Sequence, residues 1–299
     1  MQRPNFFIIG APKCGTSTLI NELRWHPHIY APLSYEPQWF STDFSAILDH
    51  SEQSYMNLFA GVEDKHIAIG EKSVIYMYSQ VAVDNILAFN PDSRFIVMLR
   101  NPVDLVYSWH SQLYYTFIEH IESFEEAWAL QESRQRGENI GERCPVPFAL
   151  QYREIGSLGK YLQRVQQKVS ADRLKIIFME DFHADPEKVY RETLEFLGVP
   201  YAPRADVRKL NVNKRHRWRW LGMMLAHDTK SIGNSLIKRL DRLPLLRKFN
   251  VKYRLHEFNK VEYKREPLNG EFRKQLQAEF SDDIKLLAEL TGRDLSHWL

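Results

Sequence analysis

The stretch from Phe6 to Ile20 reads FFIIGAPKCGTSTLI. Four apolar residues closed by Gly10 predict a strand buried on both faces. The residues from Thr16 onward predict a helix over 16–26, broken by Pro27. The turn between them therefore ends at a helix N-terminus. Its first N–H groups have no intrahelical partner and carry partial positive charge, so it suits an anion. Gly15 lets the backbone approach a ligand closely, and Thr16, Ser17 and Thr18 add hydroxyl donors. Such a segment predicts a sheet with a ligand at the end of this strand, the bland alternative being a strand–helix turn that holds nothing.

The anion is not that of an ordinary nucleoside triphosphate. The triphosphate pattern is G-x-x-x-x-G-K-[ST]. Gly10, Gly15 and Ser17 fit it, but Thr16 stands where the lysine belongs. The loop's lysine is Lys13, on the bend. From there it reaches one terminal phosphate and the atom bridging to it.

Two further apolar runs, Arg94–Leu99 and Leu174–Met179, predict strands. Helices are expected over 51–60, 79–89, from Pro102 to about His120, and over 124–136, 154–169 and 270–290. Another helix is expected from Asp185 to a stop at Gly198. Residues 27–45 and Gly70-Glu71-Lys72-Ser73 read as loop. Alternating strands and helices predict one α/β domain over 1–299. Its architecture is a P-loop-like, mostly parallel central sheet with helices on both faces. Gly10 and Arg100 then lie at carboxyl strand ends and face one crevice. Arg100 offers a forked, permanent charge to phosphate, and Ser108 lies two helical turns beyond it.

Composition narrows the partners. Forty basic against 38 acidic residues leave +2, so no global charge implies nucleic acid or membrane, and any basic site is local. Cys14 and Cys144 make no disulfide framework, which fits a reducing compartment. No 18-residue apolar run and no signal-like start is visible, so the expected place is the cytoplasm.

PKCGTST followed by LRNPVDLVYS resembles the sulfotransferases that use 3'-phosphoadenosine 5'-phosphosulfate (PAPS), over nearly the whole chain. The resemblance implies that Lys13, Cys14, Gly15, Thr16, Ser17 and Thr18 hold the 5'-phosphosulfate. It implies that Arg100 and Ser108 hold the 3'-phosphate. The loop would then need no triphosphate lysine, because there is no γ-phosphate. Asn101 and Leu105 depart from residues frequent in that family.

Tyr35-Glu36-Pro37-Gln38-Trp39-Phe40 resembles the segment that carries a glutamate base in the heparan-type and bacterial branches. A positioned carboxylate there would take the proton of an attacking hydroxyl. Gly70-Glu71-Lys72-Ser73 resembles a second family segment, with Val74 in place of proline, and gives Lys72 to the transferred group or the acceptor. Relatives close a basic segment over the cofactor, which gives Lys214 and Arg215 to the 3'-phosphate and the nearby tryptophans to a ring. The same run also reads as a solvated basic helix face. His26, His28 and His110 read as structural. Leu295, Trp298 and Leu299 read as a docked tail.

The expected reaction is in-line sulfuryl transfer from PAPS to an acceptor hydroxyl, a carbohydrate before others, without metal. Two rivals remain open. Ile176–Asp181 could pass for the magnesium-holding strand of a nucleotide kinase or NTPase. The basic run could make a non-catalytic module for nucleotide or polyanion.

Overall fold

The computed structural model describes residues 2–33, 36–44, 51–204, 214–225 and 251–299. Five parallel strands form the central sheet: β1 (Phe6–Gly10), β2 (Ile29–Tyr30), β3 (Ala68–Lys72), β4 (Arg94–Leu99) and β5 (Leu174–Phe178). Their order is β2-β3-β1-β4-β5, with helices packed around them. The expected α/β architecture is therefore present. Phe6–Ile9 and Phe95–Leu99 are wholly buried, as continuous apolar runs require at the centre of a parallel sheet.

The sequence reading missed β2 and β3. Gly70-Glu71-Lys72 is not loop: it ends β3, which pairs in parallel with β1 on one side and β2 on the other. AIGEK has too little apolar character to announce a strand; its neighbours make it one. Gly70 is required by close approach, since a Cβ there would lie 2.4 Å from the carbonyl oxygen of Phe6.

Helix boundaries moved for local reasons. The helix from Pro102 stops at Tyr115, short of His120, where Phe117 turns the chain with φ 64°. The expected 124–136 helix is two, Phe124–Ala129 and Gln131–Gln135. The expected 154–169 helix is also two, Tyr152–Gly156 and Leu158–Gln166. Pro186–Leu197 has the expected ends: the Asp185 side chain accepts from Lys188 N, and Gly198 is left-handed.

The C-terminal helix Gly270–Thr291 buries Leu276, Phe280, Ile284 and Leu287. Its Asp283 carboxylate accepts from Gly159 N and Lys160 N, both at 2.8 Å. One late residue thus satisfies the open N-terminus of the helix Leu158–Gln166. Leu295 and Trp298 are buried as expected of a docked tail, but Leu299 is exposed.

Behind the helix from Pro102 lies a buried ion pair. Arg134 grips Glu119 with both terminal nitrogens, at 2.8 and 2.9 Å, and Tyr152 donates to the same carboxylate at 2.6 Å. Burial alone would raise the Glu119 pKa, yet the donors from Arg134 and Tyr152 bring it below the ordinary value. Arg134→Met should cost about 3–5 kcal/mol, because it strands a buried carboxylate. Urea unfolding followed by circular dichroism measures this. An unchanged midpoint would show that the pair holds nothing together.

Candidate active site

A cleft of about 750 Å³ opens at the carboxyl ends of the strands. Lys13, Gly15, Thr16, Ser17 and Thr18 line it from the first turn, and Arg100 and Ser108 from the second. The two motifs read from the sequence therefore meet, because β1 and β4 are neighbours in the sheet.

Gly15 caps the helix Thr16–Arg24 with φ 89°, a left-handed value that only glycine adopts freely. Lys13 also has positive φ, at 62°. Its Nζ donates to Gln112 Oε1 at 3.3 Å, and Arg100 Nη1 donates to its carbonyl at 3.4 Å. Burial, then the nearby charges of Arg265 and Arg100, push its amine down to about 8. Cys14 does not line the cleft. It is fully buried, its thiol points at the Pro12 carbonyl, and burial raises its pKa to about 12. Only its backbone can serve a ligand.

Glu36, Lys72 and Ser17 form a second cluster. Lys72 Nζ donates to Glu36 Oε1 at 2.6 Å and to Ser17 Oγ at 3.1 Å. Glu36 Oε2 accepts from Val74 N at 3.3 Å. The end of β3 thus carries Lys72 to the helix that follows β1, and Glu36 lines the cleft.

Lys214 and Arg215 are placed elsewhere. They sit exposed on β6 (Lys214–His216), paired with β7 (Lys260–Glu262), and do not line the cleft. Arg215 lies over the Tyr263 ring at 4.8 Å. Trp218 and Trp220 do not line it either. Tyr35 and Arg208–Asn213 of the basic run lie outside the described residues. The three histidines bond backbone oxygens: His26 to Pro200, His28 to Lys65 and His110 to Ile121.

Arg265 is a cleft cation that the sequence reading missed. It lines the cleft, stacks 4.9 Å from the Tyr107 ring, and has a buried Nη1 with no partner. Lys264-Arg265-Glu266-Pro267 carries no motif, so only the fold brings this residue in. Arg204 is a second missed cation; it pairs with Glu22 at 3.0 Å on the cleft wall.

The acids that could hold magnesium are otherwise engaged. After β5, Asp181 is bound by Arg293, and Glu180 accepts from Trp298 Nε1 at 2.7 Å. No cluster of three or more metal-type ligands occurs among the described residues.

Residues 3–218 match the model of the sulfotransferase domain family, and the chain belongs to that family. It is similar over its whole length to a sulfotransferase from Alicyclobacillus acidocaldarius. That similarity has 28% identity, a TM-score of 0.70, and coverage of 100% of this chain and 99% of that one. It is also similar to carbohydrate sulfotransferase 15 of Mus musculus, at 25% identity over 66% of this chain and 44% of that protein. The bifunctional heparan sulfate N-deacetylase/N-sulfotransferase 3 of Homo sapiens is 28% identical over 78% of this chain and 26% of that protein. The chain thus spans less than half the length of these two relatives.

Proposed function

We propose that the cleft binds PAPS and that the chain transfers its sulfuryl group to an acceptor hydroxyl. The observation that carries this reading is the convergence of three cations on one cleft. Lys13, Arg100 and Arg265 lie close enough for the two arginines to depress the lysine amine, and Arg265 keeps a buried donor unused. Among the described residues no ion pair joins any of the three to a carboxylate, which fits a ligand that brings several negative charges.

The fit is residue by residue. The helix N-terminus at Thr16, the hydroxyls of Ser17 and Thr18, and Lys13 would hold the 5'-phosphosulfate. Arg100, Ser108 and Arg265 would hold the 3'-phosphate. When bound, PAPS supplies an activated sulfuryl group on a phosphate leaving group. Glu36 takes the acceptor proton as the hydroxyl attacks. Lys72 grips Glu36 at 2.6 Å and aims it beside Ser17. Lys13 neutralises charge that grows on the leaving oxygen. The product is adenosine 3',5'-bisphosphate. A carbohydrate acceptor is supported by the printed names of the similar proteins. Two free cysteines suit a reducing cytoplasm.

Titration calorimetry with adenosine 3',5'-bisphosphate, beside ATP–magnesium, tests the proposal. Arg100→Ala should weaken the bisphosphate by roughly tenfold or more, since a charged hydrogen bond contributes about 1.5–3 kcal/mol. Binding of ATP–magnesium alone would replace the reading with a kinase.

A further inference from the structure

Beside the cleft lies a surface that sulfuryl transfer does not use. It consists of β6, the helix Arg219–Leu225, the helix Val251–Asn259 and β7, which pack on one another. Among the described residues eleven large apolar side chains are exposed, and six of them are here: Trp218, Trp220, Met223, Tyr253, Leu255 and Phe258. Their exposure runs from 38% to 66%. Such a concentration marks an interaction surface.

The surface is built rather than frayed. Asn259 clamps Trp218 through two hydrogen bonds, from Trp218 N at 2.8 Å and to Trp218 O at 2.9 Å. The Trp218 and Phe258 rings lie 5.9 Å apart, and the Arg217 guanidinium lies 4.5 Å over Phe258. Lys214, Arg215, Arg217 and Arg254 are exposed on the same elements. The acids among them are answered: Glu257 pairs with Lys260 at 2.7 Å, and Glu262 sits opposite Lys214 in the ladder. The whole chain is only +2, so this positive charge is local.

We propose that this surface docks on an anionic lipid bilayer. A bilayer answers both halves of the chemistry at once. Headgroup phosphates attract the arginines and lysines, while tryptophan, phenylalanine, leucine and methionine enter the acyl boundary. A sulfated polysaccharide or a nucleic acid would use the cations and the rings, but it offers nothing to Leu255 and Met223. No helix among the described residues is long and apolar enough to cross a membrane, so the association is at the surface. The proposal is independent of the reading of the cleft.

The test is co-sedimentation of the full chain with vesicles of phosphatidylcholine alone and with phosphatidylserine added. Binding is expected only to the anionic vesicles, with a blue shift of tryptophan fluorescence and release by high salt. Trp220→Ser with Phe258→Ser should weaken it about tenfold or more, as lost apolar insertion requires. Arg217→Gln with Arg254→Gln should do the same through charge. Thermal unfolding and bisphosphate titration of each variant separate lost docking from lost folding, and the exposed charge pair serves if the apolar pair does not fold. Equal binding to neutral vesicles, binding that survives both variants, or retention on heparin without vesicle binding would overturn the proposal.

Discussion

Glu36→Gln lowers kcat by about 10²–10⁴-fold, the range a positioned general base contributes, and leaves the affinity for adenosine 3',5'-bisphosphate unchanged. The amide keeps the size of the carboxylate but cannot take a proton. Its partner Lys72 stays in place, because an amide oxygen still accepts from Nζ, which now lies 2.6 Å from Glu36 Oε1. The nucleotide contacts come from other elements, so binding and turnover separate. Product assays with labelled PAPS, beside calorimetry on the same preparation, measure both. Full turnover by the variant would remove Glu36 from the reaction and return the proton to solvent.

Lys13→Ala lowers kcat by about 10²–10³-fold, as expected for one preorganised group facing a developing charge. Here binding also suffers, in a way that depends on pH. In the free protein the amine titrates near 8, because burial and two arginines disfavour its charge. The anion binds the protonated form. Affinity for the bisphosphate is therefore greatest below that value and falls as pH rises through it. Binding near pH 8 takes up a proton, which calorimetry in buffers of different ionisation enthalpy detects. In Lys13→Ala the uptake disappears and the profile flattens. A wild-type affinity that is flat from pH 6 to pH 9 would show that Lys13 makes no contact with the anion.

The strands that could be read from the sequence were those whose burial is written in their own side chains. Phe6–Ile9 and Phe95–Leu99 are apolar throughout, because both faces of the sheet are covered where they lie. Ala68–Lys72 is a strand by virtue of its neighbours, and no local pattern carries that information. The same division runs through the site. Lys13 and Arg100 stand just past strand ends and Ser108 two turns into the helix that follows, and the fold sets them round one cleft. Arg265 has no spacing to betray it. It reaches the cleft because Tyr107 gives its guanidinium a ring to lie on. The basic run drew attention to Lys214 and Arg215, yet charge density alone cannot say which surface meets a ligand, and both residues lie on a two-stranded sheet without lining the cleft.

The Asp283 cap has a consequence for how the molecule comes into being. A ribosome releases the turn after β1 before the helix Leu158–Gln166. The carboxylate that completes that helix follows both. Arg265 emerges only shortly before it. The nascent chain therefore carries the cleft without Arg265 until the stretch just before Asp283 has emerged.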